Sequence, residues 1–165
     1  MSAKPKRNAS AASAGRLPRG SRSSLASGSV AGGRVTFPYL RDTVGRYAPI
    51  VYLQTWTGHH WLYLQAYVDS GASWTIFHSD VAELLGLNRS RGTRRYMTMG
   101  NGTVIPVSIH HVRVRFAGQE FLVPAGFSDG LTTGFNVMGR AGFFDRFVMA
   151  FNDRARTLSV MSSAR

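Results

Sequence analysis

The chain has 165 residues, 20 Lys and Arg against 8 Asp and Glu, a formal net charge of +12 and no cysteine. That length suits one domain with a single sizeable core, and the absence of cysteine excludes both a disulfide scaffold and a thiolate metal site. No apolar run approaches the ~18 residues that cross a bilayer as a helix. No apolar segment follows the basic start to form a secretory signal, so a soluble, cytoplasmic protein is expected.

The charge is unevenly spread. Residues 1–34 hold seven basic residues and no acid, whereas 35–165 hold thirteen Arg and all eight acids, a formal +5. The leader, rich in Ser, Ala, Gly and Arg, has too little aliphatic surface to offset the entropy of ordering, so 1–34 is expected to be a disordered basic tail and 35–165 the folded domain. A solubilising role is the first expectation for the tail. Electrostatic attraction to nucleic acid or an anionic surface ranks below it. An organelle transit function, suggested by the acid-free Arg and Ser content, ranks lower still, because no clear amphipathic helix accompanies it.

From Val35 onward the punctuation is that of an all-β protein. "PIVYLQTWT" and "WLYLQAYV" are strand-like runs joined by Gly58-His59-His60 as a hairpin. "WTIF" is another strand. "HSDVAELLGL" predicts a short helix capped by Ser79 or Asp80, with Val81, Leu84 and Leu85 as its apolar face and Gly86 as its stop. "RRYMTMGNGTVIPVSI" reads as a hairpin tipped by Gly100-Asn101-Gly102. "VRVRF" alternates apolar and charged residues, "AGQ" turns the chain into "EFLVPAGF", and "FVMAFN" and "TLSVM" flank a polar turn at Asp153. Residues 140–147 offer a second short helix. A closed or nearly closed β domain follows.

One acid stands out. Asp69 sits between two apolar strands, in "YVDSGASWTIF", where an unpaired carboxylate is costly to bury. Its neighbours Ser70, Gly71 and Ala72 are small enough to let backbones approach closely, so the carboxylate can accept N–H bonds at a tight turn. Asp69-Ser70-Gly71-Ala72 after an apolar strand resembles the signature of the retropepsin-like aspartic proteases, in particular their bacterial single-domain members. Two further elements follow in that family's order. "YMTMGNGTVIPV" stands where the family has a glycine-tipped flap, here Met97, Thr98, Met99, Gly100, Asn101, Gly102 and Thr103. Val137-Met138-Gly139-Arg140 stands where it has an apolar-apolar-Gly-Arg loop beneath the active site.

The resemblance implies a closed acid-protease β-barrel with one or two short helices and a flap hairpin, acting on polypeptides without metal or other cofactor. It also implies that Asp69 is catalytic, that Ser70 braces the paired loops, and that Gly71 lines the substrate channel. Aspartic proteolysis needs a water held between two carboxylates that share a proton. No second Asp-Ser/Thr-Gly triplet occurs, and the chain is too short for a two-lobed monomer. The second Asp69 is therefore expected from another copy in a symmetric homodimer. One departure stands out: Ser73 and Trp74 follow Ala72 where many retroviral members have a second Asp that pairs with the Arg of the Gly-Arg motif, leaving Asp145 or a main-chain carbonyl as a partner for Arg140. A non-catalytic dimerisation or peptide-binding domain of the same fold stays open as the alternative. Zinc is disfavoured, because adjacent His59-His60 and His110-His111 point to opposite faces of a strand.

Overall fold

The computed structural model describes residues 29–31 and 33–163. In chain order the strands are β1 (Ser29–Ala31), β2 (Arg34–Pro38), β3 (Leu40–Arg41), β4 (Tyr47–Ala48), β5 (Ile50–Trp56), β6 (Trp61–Val68) and β7 (Thr75–His78), followed by helix α1 (Ser79–Leu84) and a 3-10 turn at Arg89–Arg91. The remaining strands are β8 (Thr93–Thr98), β9 (Val104–Phe116), β10 (Gln119–Ser128), β11 (Asn136–Met138), β12 (Phe147–Asn152) and β13 (Thr157–Ser162). No helix among the described residues is long and apolar enough to cross a membrane.

Strand pairing makes a ring. Running β10-β7-β11-β6-β5-β9, each strand bonds the next, and β9 then bonds back to β10. The junction of β5 with β9 is narrow, at Gln54↔Arg115 and Thr55↔Val114, so the barrel closes with little overlap there. The expected hairpin β5–β6 forms, with Trp56 opposite Trp61. Strand β8 pairs only with the first half of β9 and projects from the barrel as the glycine-tipped hairpin. A second sheet, in the order β1-β2-β13-β12, brings the first and last strands together.

Sequence patterning explains the long β9. Ile105 and Val107 are buried, both odd-numbered, but Val112, Val114 and Phe116 are the buried residues farther along. Since alternate side chains face opposite ways, one strand serves two layers. Its first half covers a small apolar cluster of Ile76, Ile105, Val107, Leu131 and Val137. Its second half enters the main core, where Phe116 stacks on Phe37 at 5.2 Å and meets Phe143 and Phe147 edge-on. The "VRVRF" run is thus the end of the hairpin strand and not a separate element.

Three expectations are corrected. The helix start is not capped by Ser79 or Asp80: His78 occupies the N-cap position and no side chain caps the turn. The Ser79 and Arg89 side chains near Asp129 hold its carboxyl below the usual range. The end is as expected, with Gly86 at φ +67. Residues 141–146 form consecutive turns and no helix, and Phe147 already opens β12, since Gly142 adopts φ +84 and interrupts the helical path. Strand structure also begins before residue 35, because Ser29–Ala31 pair antiparallel with Arg34–Thr36. The expectation for residues 1–28 lies outside the described residues.

Tyr39 ties the end of β2 to the turn between β12 and β13. Its hydroxyl donates to Asp153 Oδ1 at 2.8 Å and its backbone N–H to the Arg156 carbonyl at 2.8 Å. Burial, then the Asp153 hydrogen bond, pushes the Tyr39 pKa up to about 12. A raised folded-state pKa favours the protonated phenol, so this stabilisation is complete below the unfolded value of ~10 and is lost as pH rises towards 12. Tyr39→Phe is expected to cost ~1–2 kcal/mol at neutral pH and to flatten the fall in melting temperature between pH 10 and 12. Thermal melts of both proteins across that window check it, and parallel curves would contradict it.

Candidate active site

Asp69 leaves the end of β6 as the chain enters the turn Ser70-Gly71-Ala72. Its own N–H donates to the Met138 carbonyl at 3.0 Å, and its Oδ1 accepts the Gly71 N–H at 2.8 Å. The carboxylate is half-buried, while Ser70 and Gly71 are exposed. A Cβ on Gly71 would come within 3.1 Å of Asp69 Oδ1, so the glycine leaves this oxygen uncrowded.

Two loops are fastened to each other beneath this turn. The Arg140 N–H donates to the Ala72 carbonyl at 2.8 Å and the Ala141 N–H to the Ser73 carbonyl at 3.0 Å. The Gly139 N–H donates to Thr75 Oγ1 at 3.1 Å in a buried setting. Gly139 has no room for a side chain, because a Cβ would lie 2.2 Å from the Trp74 carbonyl oxygen. Met138 and Gly139 are thus held against the Asp69 turn by backbone hydrogen bonds. Strand β11 runs parallel to β6, with Met138 beside Val68.

The hairpin meets the same region from above. Met97 and Met99 pack with Ala72 against the small cluster containing Ile76 and Val137. Thr98, Gly100, Asn101, Gly102 and Thr103 form the exposed tip. There the Met99 N–H donates to the Thr103 carbonyl at 2.8 Å, and Asn101 Oδ1 accepts the Thr103 N–H at 3.0 Å. Turn, loop and hairpin therefore converge on one apolar cluster beside a single carboxylate.

The other acids of the described region are engaged or elsewhere. Asp42 pairs with Arg46, Asp129 with Arg89, and Glu120 with Arg113 and Arg115. Asp80 and Glu83 lie on α1. Arg140 forms no ion pair with Asp145 or any other described carboxylate, so its hold on the site is through its backbone N–H. No three metal-ligating side chains gather among the described residues.

Two contributors escaped the sequence reading. Thr75 looked like one more β-branched strand residue, yet its hydroxyl is the acceptor for Gly139. Asn136, 2% exposed, donates to the Gln65 carbonyl at 3.0 Å and accepts the His78 N–H at 2.9 Å, joining β6 to the end of β7. The only signal was an amide opening an apolar strand, where a polar group must find partners.

Residues 62–140, spanning the Asp69 turn, the flap and the Gly139 loop, match the aspartyl protease family. The fold is similar to that of a retropepsin-like aspartic protease from Rickettsia conorii, with a TM-score of 0.55 at 18% identity, covering 77% of this chain and 98% of that one. No curated protein matches the sequence. The fold is thus retropepsin-like, and the stretch that carries the Asp69 turn and the Gly139 loop is similar to aspartyl proteases.

Proposed function

We propose that the protein is an aspartic endopeptidase that works as a homodimer, with Asp69 of each chain forming the catalytic pair. The observation that supports this best is the turn itself: one half-buried carboxylate that accepts the Gly71 N–H, on a residue whose own N–H is held by the Met138 carbonyl, beside a glycine-tipped hairpin. One carboxylate per chain is half of what the reaction needs, and a two-fold axis beside the Ser70-Gly71 turn supplies the other half.

In this reading the two Asp69 carboxyls, about 3 Å apart, hold one proton between them, because both cannot ionise cheaply at that distance. The ionised one removes a proton from the bound water, whose oxygen attacks the scissile carbonyl carbon. The protonated one donates to the carbonyl oxygen as negative charge grows there. Proton transfer to the amide nitrogen then lets the C–N bond break. Ser70 braces one loop against the other, Gly71 lines the channel, and the Met97–Thr103 flap closes over a substrate held as an extended strand. The barrel from residue 35 on is the catalytic unit, and the basic leader takes no part in the chemistry.

A test separates this from a self-contained monomer. Wild type is mixed with increasing excess of Asp69→Asn chains under conditions of subunit exchange, and hydrolysis of an unfolded protein is followed per wild-type chain. Activity is expected to fall in proportion to the fraction of mixed dimers, since one carboxylate and one amide cannot share a proton as the dyad does. Undiminished activity after confirmed exchange would refute the shared site. The alternative, a peptide-binding domain without catalysis, draws on Ser73 and Trp74, and is the reading left if pure wild type binds unfolded polypeptide but never cuts it.

A further inference from the structure

A concavity of about 480 Å³ adjoins the small apolar cluster and is walled by Trp74, Arg95, His111, Leu122, Asp145 and Arg146, with Ile109 at its inner end. Its position follows from strand alternation. Arg95 shares a face of β8 with Met97, and Ile109 and His111 share a face of β9 with Ile105 and Val107. Met97, Ile105, Val107 and Ile109 all belong to that apolar cluster. Trp74 lies two residues beyond Ala72, which packs on the same apolar cluster, and is 37% exposed. The concavity therefore continues the apolar face that packs beside the Asp69 turn.

Its charge is unmatched. Arg95 and Arg146, both in the wall of the concavity, belong to no ion pair. The Arg146 guanidinium lies over the Phe121 ring, 5.0 Å from its centroid, which fixes its position without neutralising it. Asp145 is the one carboxylate in the concavity and is bound to neither arginine, so two guanidinium groups face a single acid there. The exposed indole of Trp74 gives the methylenes of a side chain an apolar surface to lie on.

We propose that this concavity is a subsite for an acidic residue of the bound polypeptide, Glu or Asp, placed a few residues outside the bond over Asp69. Trp74 supports its methylene and Arg95 and Arg146 receive its carboxylate, each as a charge-assisted donor. Asp145 limits the preference. The proposal rests on the endopeptidase reading for its substrate and on the groove alone for its chemistry.

The experiment reads both separately. A peptide mixture from a digested proteome is incubated with wild type, Arg95→Glu, Arg146→Glu and Asp145→Asn proteins of confirmed fold, and cut sites are identified by mass spectrometry. Wild type should show acidic residues enriched about fivefold at flanking positions, the size expected of a partly exposed charge contact. Arg95→Glu should turn that into a preference for Lys and Arg, Arg146→Glu should weaken it, and Asp145→Asn should strengthen it. Labelled peptides that differ only in Glu, Gln or Lys at those positions are also titrated into Asp69→Asn protein, whose groove is untouched. Tighter binding of the Glu peptide, lost in the Arg95→Glu, Asp69→Asn double variant, supports the subsite even if wild type cuts nothing. Equal binding of Glu and Gln peptides, or acid enrichment that survives Arg95→Glu, overturns it, whatever the outcome for hydrolysis.

Discussion

Replacing Asp69 with asparagine is expected to leave the barrel folded and to lower hydrolysis of an unfolded protein by ~10³-fold or more, at the upper part of the range for losing a positioned general base. The fold survives because the structural duties of this side chain are modest. Its Oδ1 accepts one N–H bond, from Gly71 at 2.8 Å, and an amide oxygen can accept the same bond. The Asp69 backbone bond to Met138 does not depend on the side chain at all. The chemistry does not survive, because an amide can neither take a proton from water nor share one with its partner. The two readouts are a thermal melt, expected to shift by no more than a few degrees, and the initial rate of cleavage. A rate above a hundredth of wild type, from protein shown to be free of wild-type chains, would remove Asp69 from the mechanism.

Much of this site was legible because its chemistry is local in the chain. The Asp69-Ser70-Gly71-Ala72 turn carries a charge where apolar patterning forbids one, and the flap and the Gly139-Arg140 loop each announce themselves by glycine within apolar strands. Hairpins β5–β6 and β8–β9 were readable for the same reason, since turn residues and alternation are set by neighbours. What was not legible depends on residues far apart. Thr75 and Gly139 are separated by 64 positions, and nothing in either neighbourhood says that one accepts the other's N–H. The turns after Arg140 misled because "RAGFFDRF" has helical spacing of apolar residues. Phe143 and Phe147 are indeed both buried, but Gly142 takes a left-handed conformation that an α-helix cannot accommodate. The N-cap of α1 misled in a similar way, because the helix starts one residue earlier than its polar residues suggest, with His78 at the N-cap and no side chain capping it.

Gly139→Ala is the substitution expected to damage the architecture most for the fewest atoms. The added methyl would lie 2.2 Å from the Trp74 carbonyl oxygen, 2.4 Å from its carbonyl carbon and 2.9 Å from the Ala72 carbonyl oxygen. All three are backbone atoms, so no side-chain rotation relieves the contact. The two loops must separate by about 1 Å, which stretches the bonds from Arg140 to Ala72, from Ala141 to Ser73 and from Gly139 to Thr75. Overpacking costs ~1–3 kcal/mol, and weakening a buried hydrogen bond adds a cost of similar size, so a loss of ~3 kcal/mol is expected. For a domain of this length that lowers the melting temperature by ~10 °C. Folded protein should also lose activity by ~10²-fold, because the same loops aim Asp69 and a displacement of ~1 Å is enough to misalign a catalytic group. Gly100→Ala in the flap tip is the control: nothing lies within 4 Å of its Cβ position and its backbone conformation is ordinary, so its melt should match wild type. If Gly139→Ala melted within a degree of Gly100→Ala, the tight apposition of these loops would not be what holds the site together, and the position of Asp69 would need another explanation.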